Sequence, residues 1–261
     1  MAGRAVMPGL SLVEEFAAAA ETAPAMPVLN ALTSEAVREL GFDYFGVVHH
    51  LPYGTPLAGR VGLHCYPEDW VAKVRDMGRP PDPVHRAAER TACGFRWDRM
   101  DAVITVTARE RAHLEQAARH GIGNGFTVPN HVPGEVPGSS SFGLRAGRSL
   151  PERNLAAAQA LGNFAFEAAR RLVRAGGPKW IVPVALSERQ RDCVLLVARG
   201  NSDAAIARRL GLKPRTINEH VEAAKRRYGV VTRSQLVVQA LLRGEIAFGD
   251  VFDGPGAGPL A

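Results

Sequence analysis

The sequence predicts an α+β protein: an N-terminal α/β/α sandwich with a mainly antiparallel sheet, then an all-α four-helix domain. Three observations carry this. Within residues 1–174, runs rich in β-branched and aromatic residues alternate with helical runs, so a sheet has helices to cover it. Ala175-Gly176-Gly177-Pro178 then opens a linker that ends near Ala185. Beyond it, residues 186–246 hold four short helical runs punctuated by glycines, and residues 247–261 read as a flexible tail.

The elements follow in order. Residues 10–22 have the pattern of an amphipathic helix, and a second covers 33–40, stopped by Gly41. Phe42 to His50 reads as a strand, and Arg60 to Cys65 as the next after a Pro/Gly loop. Pro67 opens a helix to about Met77, and 84–90 is a further short one. Thr107 with Glu110 forms a capping box ahead of Arg111–His120. Asn124–His131 and Ser139–Leu144 are strands separated by a Pro/Gly turn. Ser149 with Glu152 makes a second capping box, with Pro151 at the first helical position of a helix running to about Arg174. That last helix has more apolar residues than one narrow stripe needs, which suits a core, a dimer face, or both.

Charge separates the two halves. Residues 186–246 contain 12 Lys and Arg against 6 Asp and Glu, the whole of the chain's net charge of +6. A localised basic region favours a polyanionic partner through counterion release. Cys65, Cys93 and Cys193 form no CxxC pair and no disulfide framework, which fits a reducing cytoplasm. No apolar run is long enough to span a membrane, and Glu14 and Glu15 are wrong for a signal peptide.

The C-terminal helices supply the output. Ser187 with Gln190 caps the first, Ser202 the second, Pro214 opens the third, and Thr232 with Gln235 caps the fourth. The second and third, joined by Gly211-Leu212-Lys213, make a helix-turn-helix whose second helix reads the major groove. On that helix Ile217, Val221 and Ala224 share one face and pack inward. Asn218 suits adenine, and Glu219 or Glu222 can accept from cytosine N4. Ser202, Arg215, Thr216, Lys225 and Arg226 complete the expected DNA contacts, the Arg, Lys and Thr being suited to phosphates. Leu186-Ser187-Glu188-Arg189, Ala198-Arg199-Gly200, Leu210-Gly211, Thr216-Ile217, His220-Val221 and Tyr228-Gly229-Val230 resemble the helix-turn-helix of LuxR-type regulators over about 60 residues. Gln190 and Ala205 depart from the acids usual there. Lys213 stands where a Ser or Thr often caps the reader helix, a loss of about 1 kcal/mol.

The input lies in Tyr66-Pro67-Glu68-Asp69-Trp70, Asp82-Pro83-Val84 and Trp97. Tyr66 and Trp70, four apart at a helix start, can face one pocket, each with an aromatic wall and one polar hydrogen, and Asp82 adds an acceptor. Such a set suits an amide ligand with an apolar remainder. The same residues also serve as ordinary core aromatics and a turn aspartate. This pattern, with Gly125-Phe126-Thr127-Val128-Pro129 later, is similar to the acyl-homoserine-lactone-binding domain of LuxR-type quorum-sensing receptors. The resemblance implies that Trp70 donates to the lactone carbonyl and Asp82 accepts the amide N–H. It also implies that Tyr66 and a downstream hydroxyl, Ser140 or Ser141, bind the acyl carbonyl, while Trp97 packs beside the ring. Val74 stands where the family usually has Tyr, which enlarges the pocket; Val84 completes the set. The implied partners are the autoinducer, operator DNA, a second copy of the chain, and RNA polymerase; no cofactor or metal is expected.

Other classes are weighed against this one. A regulator sensing a different molecule, or folded without one, stays open because of Val74. A phosphorylated receiver needs acids after its first strand, where His49-His50 stand. An enzyme built on His49, His50, His64, Cys65 and His85 lacks any recognised metal or triad spacing.

Overall fold

Side-chain alternation along two long strands organises the N-terminal unit, broken once by a register shift between Ile122 and Gly125. The computed structural model describes residues 9–50, 61–77, 82–133, 135–176 and 185–252. Its sheet consists of β1 (Tyr44–His49), β2 (Gly62–His64), β3 (Phe95–Arg96), β4 (Ile122–Asn130) and β5 (Gly138–Arg145), in the order β2-β1-β5-β4-β3. Every neighbouring pair is antiparallel. Phe45, Val47, Val128, Phe142 and Leu144 are buried on one face, against α2 (Met26–Glu39) and α6 (Leu155–Gly176), on which α1 (Leu10–Thr22) packs in turn. Each such side chain contributes roughly 1.5–3 kcal/mol by leaving water. The other face, which carries Tyr44, Gly46, Ser141 and Gly143, looks toward α3 (Glu68–Asp76), α4 (Pro83–Ala88) and α5 (Ala108–Arg119). Helices on both faces of an antiparallel sheet are the expected α/β/α sandwich.

Some local expectations change. The second helix begins at Met26, earlier than residue 33, with Pro27 tolerated in its first turn. The short β3 and a 3-10 segment over Trp97–Ala102 are additions. The Ser149–Glu152 capping box does not form. A 3-10 turn, Glu152–Asn154, leads into α6, and Glu152 instead receives Arg96 Nη1 at 2.6 Å. An ion pair to a residue 56 positions away has displaced a local cap. The Thr107–Glu110 box does form.

The second unit is a separate helical body. It contains α7 (Glu188–Ala198), α8 (Asp203–Leu210), α9 (Pro214–Tyr228), α10 (Arg233–Leu242) and α11 (Phe248–Phe252). Cys193, Val194, Ile206, Ile217, Val221, Ala224 and Leu236 are sealed in its core. Side-chain caps at Ser187, Ser202 and Thr232 form as the spacing predicts. Gly211 sits at φ 67° between α8 and α9, a left-handed conformation that glycine adopts without a Cβ penalty. The expected tail departs from the observed chain at Phe248–Phe252. Asp250 Oδ2 accepts from Ala247 N, Asp250 O accepts two hydrogen bonds from the Arg199 guanidinium, and Val251 packs on the core. Residues 253–261, and 177–184 of the expected linker, lie outside the described residues.

Candidate ligand pocket and nucleic-acid interface

Between the sheet and α3–α5 lies a cavity of about 520 Å³. It is lined by Tyr66, Trp70, Val74, Asp82, Val84, Trp97 and Ser141 among others. Seven of the eight residues expected from sequence are therefore brought together, from four stretches of chain. Tyr66 lies just before α3, for which Pro67 is the N-cap, so Tyr66 and Trp70 meet the cavity without sharing a helix.

Ser140 is the exception. Gly46, Thr127 and Ser141 sit side by side on adjacent strands, on the cavity face. A one-residue step reverses the face. Ser140 therefore points the other way, where its hydroxyl donates to Gly162 O at 2.8 Å and accepts from Asn130 Nδ2 at 3.1 Å. Ser141 Oγ is 2.8 Å from Thr127 Oγ1, which accepts from Trp97 Nε1 at 2.8 Å. This chain of bonds fixes the Trp97 ring and ties it to the cavity hydroxyl.

Missing side chains make room for the aromatic walls. A Cβ at Gly125 would lie 2.7 Å from Trp97 Cε2 and 2.7 Å from Phe142 O. A Cβ at Gly46 would lie 2.9 Å from Tyr66 Cε2. Gly46 is a pocket-shaping position that periodicity does not reveal, because the neighbour it accommodates lies 20 residues away.

Asp82 serves two purposes. Its Oδ1 accepts from Val84 N at 2.8 Å as the N-cap of α4, which is the ordinary turn role, while the residue also lines the cavity. Oδ2 stands 3.7 Å from His85 Nε2. Arg86 grips Glu110 with two hydrogen bonds of 2.7 Å and so ties α4 to α5. That guanidinium pulls the Glu110 carboxyl down to about 2.

Histidines line much of the remaining polar wall. His49, His64, His85 and His113 all reach the cavity. His50 stacks on His85 with ring centroids 4.1 Å apart. Burial, helped by the charges of neighbouring histidines, holds His50 at about 2, so its ring is neutral at pH 7. His113 shares the buried stripe Glu110, His113, Ala117 on α5, a spacing that could have marked it from sequence as inward-facing. Among the described residues no group of three or more His, Cys, Asp or Glu is arranged to hold a metal ion.

In the helical unit, α9 buries Ile217, Val221, Ala224 and Tyr228. Arg215, Asn218, Glu219 and Arg226 are exposed on the same helix, and Thr216 and Glu222 are half-buried. Arg215, with 90% of its side chain exposed, contacts Glu219 at 3.2 Å. Lys225 is only 16% exposed and bonds Glu222 at 2.8 Å, so its ammonium is less available than its charge suggests. Ser202 is exposed and occupied in capping α8. Lys213 makes no side-chain cap, as expected of that substitution.

Residues 28–169 match the family described as autoinducer binding domain, and residues 184–240 match the bacterial regulatory proteins of the luxR family. The chain belongs to the LuxR family of bacterial transcriptional regulators. It is a quorum-sensing regulator with an autoinducer-binding and a DNA-binding domain, and not an enzyme. The chain is 27% identical over 218 residues to the transcriptional activator protein AhyR of Aeromonas hydrophila, covering 78% of this chain and 80% of that protein. It is 24% identical over 215 residues to the regulatory protein SdiA of Escherichia coli K12, covering 80% and 86%. The crystal structure of SdiA shares the fold, with TM-score 0.69 at 20% identity over 91% of this chain and 98% of that one. A second SdiA structure, in complex with octanoyl-rac-glycerol, gives TM-score 0.66 at 19% identity over 89% and 94%. No helix among the described residues is long and apolar enough to cross a membrane.

Proposed function

We propose that this LuxR-family regulator takes an acyl-homoserine lactone into the cavity and binds operator DNA as a homodimer in the cytoplasm. The observation that carries the reading is the convergence of Trp70, Asp82, Tyr66, Ser141 and Trp97 on one cavity. Asp82 Oδ2, the oxygen not used in capping, accepts the ligand amide N–H. The Trp70 indole, which makes no hydrogen bond among the described residues, donates to the lactone carbonyl. Tyr66 and Ser141 serve the acyl carbonyl, Trp97 packs beside the ring, and Val74 and Val84 meet apolar parts of the ligand. The volume suits a ligand of this size, since small-molecule pockets run from about 300 to 1,000 Å³.

Occupancy stabilises the folded N-terminal domain by mass action. Phe164 on α6 and Val28 on α2, 47% and 43% exposed, are apolar residues available to a second copy. Two α9 helices then enter the major groove at half-sites about one helical turn apart. Asn218, Glu219 and Glu222 read bases, while Ser202, Arg215, Thr216, Lys225 and Arg226 position the domain on phosphates. RNA polymerase is the further partner of an activator of this kind. Val74 favours a second reading, a different acyl or amide ligand in the same pocket. Gel-shift titration with and without a panel of lactones tests both. Operator affinity and thermal stability that no lactone changes would remove the first.

A further inference from the structure

The helix that carries Trp70 to the cavity has little to fix its rotation. Of the nine residues of α3 only Trp70 and Val74 are buried, and they pack with Ala117 and Ile122. Apolar contact is non-directional, so it holds the helix down without setting which way the indole points. One polar link has direction. Asp69 Oδ2 lies 2.6 Å from Nδ1 of His120, the C-cap of α5. It is the only side-chain hydrogen bond or ion pair that α3 makes among the described residues. A carboxylate only accepts, so Nδ1 carries the hydrogen and donates. That bond holds the Asp69 carboxyl below the usual carboxylate range.

The link sits beside the indole. Trp70 follows Asp69 directly, and its ring lies 5.6 Å from the His120 ring and 5.1 Å from the His113 ring. Those two imidazoles stand about two turns apart along α5, so the indole rests along one side of that helix. His120 therefore packs on Trp70 and also holds its neighbour. Near the other end of α5, Glu110 grips Arg86 of α4, the helix that Asp82 caps. One helix is thus tied at its two ends to the carriers of Trp70 and Asp82.

We propose that Asp69 and His120 are positioning residues that aim the Trp70 indole N–H at the head-group carbonyl, and so set the preference for a head group that has one. This rests on the reading that an acyl-homoserine lactone occupies the pocket. Asp69 has 65% of its side chain exposed, and an exposed pair adds little to folding. The bridge acts on direction instead, and a hydrogen bond weakens steeply once its angle is lost.

The test is titration calorimetry on the full chain with two ligands of one chain length. These are N-octanoyl-homoserine lactone and N-octanoyl-3-aminotetrahydrofuran, which keeps the ring and the chain but lacks the ring carbonyl. The wild type should bind the lactone about tenfold more tightly, the scale of one hydrogen bond from a buried donor. Asp69→Ala should bring that ratio down to about two through the lactone alone, and leave Tm within about 2 °C. Asp69→Asn, which keeps an acceptor, should retain most of the ratio. Glu68→Ala removes the neighbouring acid from the same helix turn without touching the bridge, and should retain all of it. A loss of folding lowers both affinities alike and does not move the ratio. His120→Ala breaks the bridge from α5 and carries the test should Asp69→Ala not fold. A wild-type ratio kept in Asp69→Ala, or an equal loss for both ligands, overturns the inference while leaving the lactone reading intact. Equal binding of the two ligands to the wild type removes the bond from Trp70 to the carbonyl, and the inference with it. If neither ligand binds, the lactone reading falls and the inference falls with it.

Discussion

Two glycine-to-alanine substitutions separate the stability of the ligand domain from the shape of its pocket. At Gly125 the added methyl meets the Trp97 ring at 2.7 and 2.8 Å and the Phe142 carbonyl at 2.7 Å. The carbonyl belongs to a central strand and cannot move alone. The Trp97 ring is held by its bond to Thr127. Overpacking against parts that cannot yield costs about 1–3 kcal/mol. Relief of glycine's excess unfolded-state entropy returns roughly 0.5–1 kcal/mol in a strand. The net loss for Gly125→Ala is then up to about 2.5 kcal/mol, or up to about 10 °C in Tm for a domain of this size. At Gly46 all three nearest atoms belong to the Tyr66 ring, the closest at 2.9 Å. That ring is side chain rather than strand backbone and can give by a few tenths of an ångström where the Phe142 carbonyl cannot, so Gly46→Ala should leave Tm within about 2 °C. It should nonetheless displace the Tyr66 hydroxyl and cost about 1 kcal/mol of ligand affinity, roughly fivefold. Thermal unfolding followed by tryptophan fluorescence, alongside ligand titration, reads both quantities. A Gly46→Ala protein less stable than Gly125→Ala, or one with unchanged affinity, would refute the reasoning.

Further outcomes follow from the same contacts. Ser140→Ala should lower stability by about 1–2 kcal/mol, since it strips the buried Gly162 carbonyl and Asn130 amide of a partner, while Ser141→Ala should act mainly on ligand affinity; urea unfolding and titration of both variants distinguish them. The N-terminal domain should lose stability on acidification. The His50 pKa is lowered to about 2 in the folded state against 6.5 unfolded, so stability is full above pH 6.5 and falls by about 1.4 kcal/mol per pH unit below it. Glu110, held at about 2, adds a second loss in the same direction as pH drops below 4.5. Denaturant midpoints between pH 7.5 and 5.5 should fall, and a flat profile in that window would contradict the burial argument. Lys213→Ser should supply the missing cap of α9 and raise the stability of the helical unit by about 1 kcal/mol, measurable as a shift in its denaturant midpoint. Asn218→Ala should relax base preference at one operator position by about 1–3 kcal/mol, whereas Arg226→Ala should weaken all sequences alike and lower the salt slope by about one, both read by gel shift.

The helical unit was almost entirely readable from residue order. Its caps are pairs three residues apart, its stops are glycines, and its core stripe repeats at helical spacing, so each element is specified within its own dozen residues. Only the docking of Phe248–Phe252 escaped, because it depends on Arg199, 51 residues earlier. The same limit explains Ser149, whose partner in an anticipated cap was taken by Arg96.

The pocket divides along the same line. Residue types and spacing along the chain singled out Tyr66, Trp70, Asp82 and Trp97, because short-range pattern and family resemblance both act on the linear order. Strand register, a property of pairing between distant segments, chose Ser141 over Ser140 and placed Gly46, Thr127 and Ser141 side by side. Packing across the sheet face then assigned Gly125 to Trp97 and Gly46 to Tyr66, and sealed His113 beside Trp70 with a nitrogen unmet. Local hydrogen bonds and helical periods are written in neighbouring residues; faces, close approaches and orphaned polar atoms exist only once distant segments meet.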